Sequence, residues 1–530
     1  MPKVLIIGSG PSAAAVALAA KATGGCDVEV VDLGERLEED KRDLLAGLAG
    51  TRPPGWPESA LTELTQHPVA QVRGELPEKR MFGSDFPFRD RGQLGGLTTV
   101  PGGNKLSVSP AFGGFSNIWG AQVMPFSRAT VNEWPVGYDD LLPHYKAILG
   151  SIPFAGADDD YSDLFPVLET PAPLPPLSPA AAAVLARYED RRGHVRRRGV
   201  TVGSARLAMD ANSCIECGLC LTGCPYGLIY SSSHTFERLI DGGDVTYSPG
   251  VLIERVGEDE SGCWASGRDL ATGEARSFRA DRLFVACGGI GSTRLLLNSA
   301  RPAVASLELA ESVQIVLPFV SVRPHRDPRT FTTFTLNQFN LLVEYGRAGL
   351  DLAQFHLYPY NPAFEAALPA PIRRVEMARR SALRRTTAAL AYLPSWHSPR
   401  IRIDVTRRSE GSLPDVSLSS VANPSTRGVL RRVFGKLLQV APALDLWPAV
   451  PVARVSGPAK SYHFGGSFPH VPSPSPGELA TDTLGRIAEW RRVHVVDGSV
   501  FPTIPATTFT LTVMANAHRI ATAALAARGV

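Results

Sequence analysis

The chain opens on KVLIIG, a short apolar run rich in β-branched residues that stops at Gly8. Ser9-Gly10-Pro11-Ser12-Ala13-Ala14 follows, then an Ala-rich stretch of helical character through Ala22, then a second apolar run, VEVVD, closing on Asp32. Short apolar runs bounded by glycine predict strands, so this opening reads strand, glycine turn, helix, strand. Residues 4–20 are apolar enough to imitate the core of a secretion signal, yet only Lys3 precedes them and Gly8, Gly10 and Pro11 interrupt them, which predicts a folded element. LFVACGGIGSTRLLLNS repeats the theme as strand, glycine turn and helix start, and residues 491–522 give a strand ending on Asp497-Gly498, a Pro-marked loop and a long helix. Residues 301–450 mix β-rich runs (VQIVLPFVSVRP, TTFTLNQFNLLVEY, RIRIDV) with a basic helical piece, and TPAPLPPLSPA at 170–180 is an extended connection that marks a boundary. No stretch holds 18 uninterrupted apolar residues, so no spanning helix is expected and the chain reads as soluble and cytoplasmic.

The opening unit carries a specific chemistry. Gly8 permits the tight turn, Gly10 lets backbone approach a pyrophosphate, and small Ala14 allows close helix–strand packing, while the helix amino terminus offers N–H groups and partial positive charge to phosphate. Asp32 arrives about twenty residues after the glycines, where a carboxylate accepts ribose hydroxyls. The unit predicts a bound dinucleotide and leaves NAD or FAD open.

Composition narrows the partners. A chain of 530 residues holds about three domain-sized units. Its 49 glycines and 44 prolines exceed the ordinary ~12% share without reaching the ~25–30% of low-complexity chains. Lys+Arg 54 against Asp+Glu 51 leaves +3, which gives no bulk electrostatic case for nucleic acid or anionic membrane as the main partner. Of seven cysteines, Cys214, Cys217, Cys220 and Cys224 fall within eleven positions, a clustering that points to a metal site rather than a disulfide framework.

Residues 491–522 resemble the closing motif of the glucose-methanol-choline (GMC) oxidoreductases, flavoproteins that oxidise alcohols, and three more segments fit that family in the expected order. Beside the opening unit, FGGFSNIWGA (Gly113, Gly114, Ser116, Asn117, Gly120) looks like the family's second glycine motif, which lies along the pyrophosphate and flavin ring. The segment with Gly288, Gly289, Gly291 and Thr293 is similar to the later signature beside the ADP half. SYHFGGSFPH, with His463, Gly465 and Gly466, resembles the segment presenting the family's catalytic histidine, just upstream of the closing motif. The resemblance implies an α/β fold, a Rossmann-like FAD-binding domain with a discontinuous α+β substrate domain on a mostly antiparallel sheet. The FAD domain would be 1–130, 205–300 and 455–530, with the cysteine-rich segment 212–230, and the substrate-binding or cap domain 131–204 and 301–454. It implies FAD contacts at Gly8, Gly10, Ser12, Ala13, Asp32, Gly113, Gly114, Ser116, Asn117, Gly120, Ile253, Gly288, Asp497, Gly498 and Thr508.

In such enzymes FAD accepts a hydride while a base takes the hydroxyl proton, so the protein supplies one base and one orienting partner. His463 is the expected base, as an imidazole with an ordinary pKa near 6.5. The family's second position is usually His or Asn, and this chain has Thr508, whose hydroxyl donates or accepts one hydrogen bond but is no base at neutral pH. Either Thr508 orients the substrate in a single-base mechanism or His470 or His518 is recruited; His518 in the last helix and His494 inside HVVD read as packed residues.

Cys214-x2-Cys217-x2-Cys220-x3-Cys224-Pro225 has bacterial-ferredoxin spacing, in which the fourth cysteine of two-cluster proteins serves the other cluster. It resembles the insert of some bacterial FAD-dependent sugar dehydrogenases, where a three-iron cluster near the flavin is an electron exit; other relatives keep CGxCxxGCP with no known cluster. A three- or four-iron cluster, a zinc or disulfide arrangement, and plain packing stay open, while Cys26, Cys263 and Cys287 read as buried thiols. Phe355, Tyr358, Tyr360, Tyr392 and Trp396 are available to stack on sugar faces or to pack a core. The arginines of residues 373–385 read as a solvated helix or as peripheral docking to a membrane surface, acidic partner or phosphorylated substrate. The expected activity is FAD-dependent oxidation of a sugar or polyol hydroxyl, with reoxidation through an acceptor other than NAD, such as an electron-acceptor protein. A lipid or sterol-type alcohol oxidase and a weakened flavin-binding electron-transfer subunit are the alternatives.

Overall fold

Five strands from three distant stretches of chain build one parallel sheet in the computed structural model, which describes residues 1–65, 80–89, 97–99, 108–300, 304–366, 368–407, 411–457 and 460–527. Their order is Val493–Val495, Arg282–Val285, Lys3–Ile7, Asp27–Val31, Thr246–Ser248, each pair parallel. Val4, Leu5 and Ile6 are fully buried, as expected of a central parallel strand covered on both faces. Helix Pro11–Thr23 starts with proline at its first turn, where the missing N–H costs nothing. Its buried alanines pack against the carboxy-terminal helix Thr510–Ala526, which also contributes small residues, Ala517 and Ala521, to the contact layer. Thus the first and last elements of the chain close the same layer.

A second layer is the antiparallel sheet ordered Trp447–Pro448, Gln314–Val320, Thr386–Tyr392, Leu352–Tyr358, Phe339–Glu344, Val200–Ser204, with Arg454–Val455 also paired to Gln314–Val320. Side chains alternate across it. One face buries Leu317, Phe319, Leu341, Phe355 and Leu357 against the helices Pro179–Arg196 and Thr426–Leu444. The register then places Gln314, Asn340, Gln354, His356, Tyr358 and Tyr392 together on the opposite face. Of these, Asn340, Gln354, His356, Tyr358 and Tyr392 are all buried, so this polar face does not look onto solvent.

Two smaller sheets complete the frame. Val251–Asp259, Gly262–Asp269 and Ala275–Ala280 form an antiparallel meander, joined to the parallel sheet where the Val251 N–H donates to Asp32 O at 3.1 Å. In the other, Phe464–Gly465 pairs with the end of Ser306–Glu311, which ties the His463 segment to the remaining strands Arg400–Arg407, Asp415–Val421 and Leu97–Thr99. The basic stretch forms two short helices, Ala370–Arg374 and Glu376–Leu383, interrupted by extended backbone at Val375. Among the described residues no helix is long and apolar enough to cross a membrane.

Candidate active site and cysteine loop

The glycine motifs converge on the carboxyl ends of the parallel strands, where ligands of open α/β sheets bind. Gly8 has φ +103°, and a Cβ there would stand 2.5 Å from the Ala286 carbonyl oxygen, so the first turn accepts no side chain. Gly10 caps the helix in extended conformation, with open space where its Cβ would be, and Ser12 and Ala13 are buried in the first turn. The second motif folds directly onto the first: a Cβ on Gly114 would lie 3.3 Å from Gly10 Cα, and the Gly113 N–H donates to Ser9 Oγ at 2.9 Å. Ser116 Oγ donates to Gly113 O at 2.5 Å and Asn117 Nδ2 to Gly114 O at 2.8 Å, so both side chains hold this turn. Gly120 lies farther on, where a Cβ would meet Tyr358 Oη at 3.4 Å.

Asp32 is half-buried, accepting from Ser9 Oγ, from the Leu33 N–H at 2.8 Å and from Tyr247 Oη at 3.5 Å. Burial pushes its carboxyl up to about 6 despite these donors, and ribose hydroxyls would add to the bonds that favour the carboxylate. Ile253 follows two residues after Val251, whose N–H holds Asp32 O. Across the sheet, helix Gly288–Ser299 starts at Gly288 with open space beside it, and Asp497 accepts from Ser292 Oγ at 2.5 Å and Ser499 N–H at 2.9 Å. An acidic ribose partner, open space at Gly10 and Gly288 and helix N–H groups fit a dinucleotide.

The segments of His463 and Thr508 come together through Phe509. Ser312 N–H donates to His463 O at 2.9 Å, and His463 N–H donates to Ser461 Oγ at 3.1 Å, fixing the backbone. The imidazole stacks on Tyr392 at 4.7 Å between centroids and meets Phe509, the neighbour of Thr508, edge-on at 5.1 Å. His463 Nδ1 and Thr508 Oγ1 are both enclosed without any hydrogen-bond partner. A buried polar atom left unpaired costs about 1–3 kcal/mol, so each of these two atoms calls for a partner that the chain itself does not supply. Burial pushes the His463 imidazole down to about 4, leaving it neutral and able to accept a proton near neutrality.

The other histidines divide sharply. His470 is engaged at both nitrogens, Nδ1 with Asp482 O at 2.6 Å and Nε2 with Asn516 Nδ2 at 3.1 Å, which removes it as a recruited base. His518 pairs with His144, Nδ1 to Nδ1 at 2.8 Å, between helices, and His494 bonds Leu484 O at 2.8 Å while stacking on Phe284, its Nε2 buried without a partner inside the parallel sheet. One histidine escaped sequence reasoning: His356, whose Nε2 lies 3.0 Å from Gln122 Nε2 and whose ring is 5.0 Å from Tyr392. The alternation Gln354, His356, Tyr358 between Phe355 and Leu357 was the available signal. Of the five aromatics, Tyr358 and Tyr392 lie on the polar face. Phe355 belongs to the dry core, Tyr360 donates to Glu365 at 2.5 Å, and Trp396 donates to Asp351 at 2.9 Å.

The cysteine run lies in an irregular loop turned by Glu216 and Gly218 at φ 56° and 81°. The four thiols are within electrostatic reach of one another, and burial pushes Cys214 to about 11, Cys217 to about 12, and Cys224 upward. Backbone groups oppose that rise: those of Glu216 at Cys214, of Leu219 at Cys217, and of Tyr226, Leu228 and Ile229 at Cys224. Thr335 N–H donates to Cys220 Sγ at 3.3 Å. Among the described residues no three His, Cys, Asp or Glu side chains converge closely enough to hold a metal ion as they stand. The donor set of four thiols served by backbone groups nevertheless suits an anionic cluster, whose potential depends on such bonds to sulfur.

The arginines of 373–385 are largely occupied. Arg379 pairs with Glu365 and Glu376, Arg380 with Asp327 at 3.3 Å, and Arg384 Nε donates to His325 O at 2.8 Å.

Residues 403–517 match the family described as GMC oxidoreductase, and residues 207–229 the 4Fe-4S binding domain. No curated protein matches the chain by sequence. Among solved structures, pyridoxine 4-oxidase from Mesorbium loti aligns at TM-score 0.59 and 12% identity over 98% of each chain. A formate oxidase variant from Aspergillus oryzae RIB40 aligns at TM-score 0.61 and 13% identity, covering 99% of this chain and 98% of that one. At such identities these likenesses concern the fold.

Proposed function

On the premise that the chain is a GMC oxidoreductase with an inserted iron–sulfur-type cysteine segment, we propose that it oxidises a hydroxyl group of a sugar, polyol or glycoside to a carbonyl. Bound FAD supplies the acceptor for the hydride equivalent. The flavin half is assigned to 1–130, 205–300 and 455–530, the substrate half to 131–204 and 301–454. Gly8, Gly10, Ser12, Ala13, Asp32, Gly113, Gly114, Gly120, Ile253, Gly288, Asp497 and Gly498 would hold the dinucleotide, and Ser116 and Asn117 would keep its second motif in shape.

The observation that carries the reading is the enclosed pair His463 Nδ1 and Thr508 Oγ1, both without partners. The His463 imidazole takes the substrate's hydroxyl proton while the Thr508 hydroxyl orients the same oxygen. The charge acquired by the imidazole lies against the Tyr392 ring, stacked at 4.7 Å, whose π face favours a cation. Such a base is worth roughly 10²–10⁴ in rate. A lipid or sterol substrate would leave Gln354 Oε1, unpartnered on the buried polar face, without a hydrogen-bond donor, at a cost in desolvation. Hydroxyl-rich substrates satisfy it.

Cys214, Cys217, Cys220 and Cys224 would hold an iron–sulfur cluster, which supplies a one-electron carrier toward an acceptor protein. The test is anaerobic purification, an absorption spectrum with iron content, and flavin bleaching by a panel of sugars and alcohols. Absence of flavin bands refutes the whole reading, and flavin without iron removes the cluster. An active substrate that bleaches His463→Ala as fast as the parent removes the base.

A further inference from the structure

Resting on that functional reading, we infer that His356 joins Thr508 in holding the substrate's oxygen, supplying the nitrogen hydrogen-bond donor of the His or Asn that this chain replaces with Thr508. His356 is 3% exposed and comes from the polar face of the antiparallel sheet, an element unrelated to the carboxy-terminal module that presents His463 and Thr508. Its protonation is dictated by a chain of buried amides. Asn337 Nδ2 donates both to Asn340 Oδ1 at 3.0 Å and to Gln122 Oε1. With its oxygen thus taken, Gln122 presents its amino group to His356 Nε2 at 3.0 Å. An amide NH₂ only donates, so Nε2 must be bare, and a neutral His356 carries its proton on Nδ1.

Three fully buried amides, Gln122, Asn337 and Asn340, are thereby spent on the tautomer of one imidazole. A buried network of this kind specifies one arrangement at the cost of desolvating every member. The neutral form is secure, because burial and the neighbouring His463 push His356 down to about 3. The His356 ring is 5.0 Å from Tyr392, whose ring also stacks on His463 at 4.7 Å. His356, a fixed donor, and His463, a proton acceptor, thus both contact one aromatic ring, and donor and acceptor are the pair of functions that a carbinol C–O–H requires. His356 keeps its proton throughout; the proton that moves is the hydroxyl's, to His463. Gln122 and Asn337 are positioning residues.

The experiment uses the flavin-loaded full chain and anaerobic bleaching by D-glucose, D-sorbitol, myo-inositol and benzyl alcohol. His356→Leu is expected to lower the limiting bleaching rate on the order of 10²-fold, the usual effect of deleting one oxyanion donor, with parental flavin content. His356→Asn, which restores a donor, recovers part of the rate. Gln122→Glu keeps the shape but makes the partner an acceptor, drawing the proton to Nε2 and stripping Nδ1, so it lowers the rate similarly; Gln122→Met, which demands neither tautomer, is milder. Parental rates in His356→Leu or in Gln122→Glu overturn the assignment. If His463→Ala loses activity while these variants keep it, the functional reading stands and this inference alone falls; if the parent is bleached by none of the four, both fall.

Discussion

Replacing Gly465 by alanine puts a Cβ 2.0 Å from the carbonyl oxygen of Gly498 and 2.6 Å from its carbon. Neither can yield easily, because the same carbonyl accepts the Gly466 N–H at 2.9 Å and Gly465 is itself strand-paired with Ala310. Restoring an ordinary van der Waals separation needs a relative backbone movement on the order of 1 Å, and overpacking of this kind costs typically ~1–3 kcal/mol. Gly465 lies two residues after His463, so the movement reaches the proposed base; a misplacement of about 1 Å can cost roughly 10²-fold in rate. The expected result for Gly465→Ala is a clearly lower melting temperature together with flavin bleaching slowed about 10²-fold. The matched control is Gly428→Ala, inside helix Thr426–Leu444, where a Cβ meets nothing within 4 Å. That variant should gain roughly 0.4–1 kcal/mol with unchanged bleaching. Thermal unfolding followed by circular dichroism and stopped-flow bleaching read the two quantities. Parental stability and rate in Gly465→Ala would show that the His463 strand does not abut Gly498.

Two further outcomes follow from the buried titratable groups. Asp32 holds its proton to about pH 6 in the folded flavin-free protein and releases it near 3.8 when unfolded, so the folded state binds more protons between those values and loses stability as pH rises through them. Asp32→Asn should therefore melt higher than the flavin-free parent at pH 7.5, by an amount on the order of 3 kcal/mol, match it near pH 3, and retain less FAD on dialysis; equal melting at pH 7.5 refutes the enclosure of this carboxylate. In iron-free protein the Cys214 and Cys217 thiols, pushed to about 11 and 12, should stay protonated and react slowly with iodoacetamide at pH 8. Iron and sulfide should then bring visible absorbance that Cys220→Ser loses, whereas rapid labelling of the iron-free chain argues against a buried thiol set.

The parts of the site legible in the sequence are those whose chemistry is local. Gly8, Gly10 and Asp32 announce themselves because a turn, a helix start and a strand end must follow one another within a few residues. The segment around His463 is legible for a similar reason, since glycines beside a histidine mark backbone packed against backbone. The polar half of the site is different. The alternation Gln354, His356, Tyr358 shows only that two faces exist; which face meets the flavin side depends on pairing with Thr386–Tyr392 and Phe339–Glu344, and on Gln122, 234 residues earlier in the chain. The same limit governs every histidine. In sequence His463 and His470 stand seven residues apart in one Gly- and Phe-rich segment. What separates them is the second nitrogen: Asn516, 46 residues on, occupies Nε2 of His470, whereas Nδ1 of His463 meets no partner. A proton acceptor is thus defined by a bond that is not made, and distant residues decide which bonds those are.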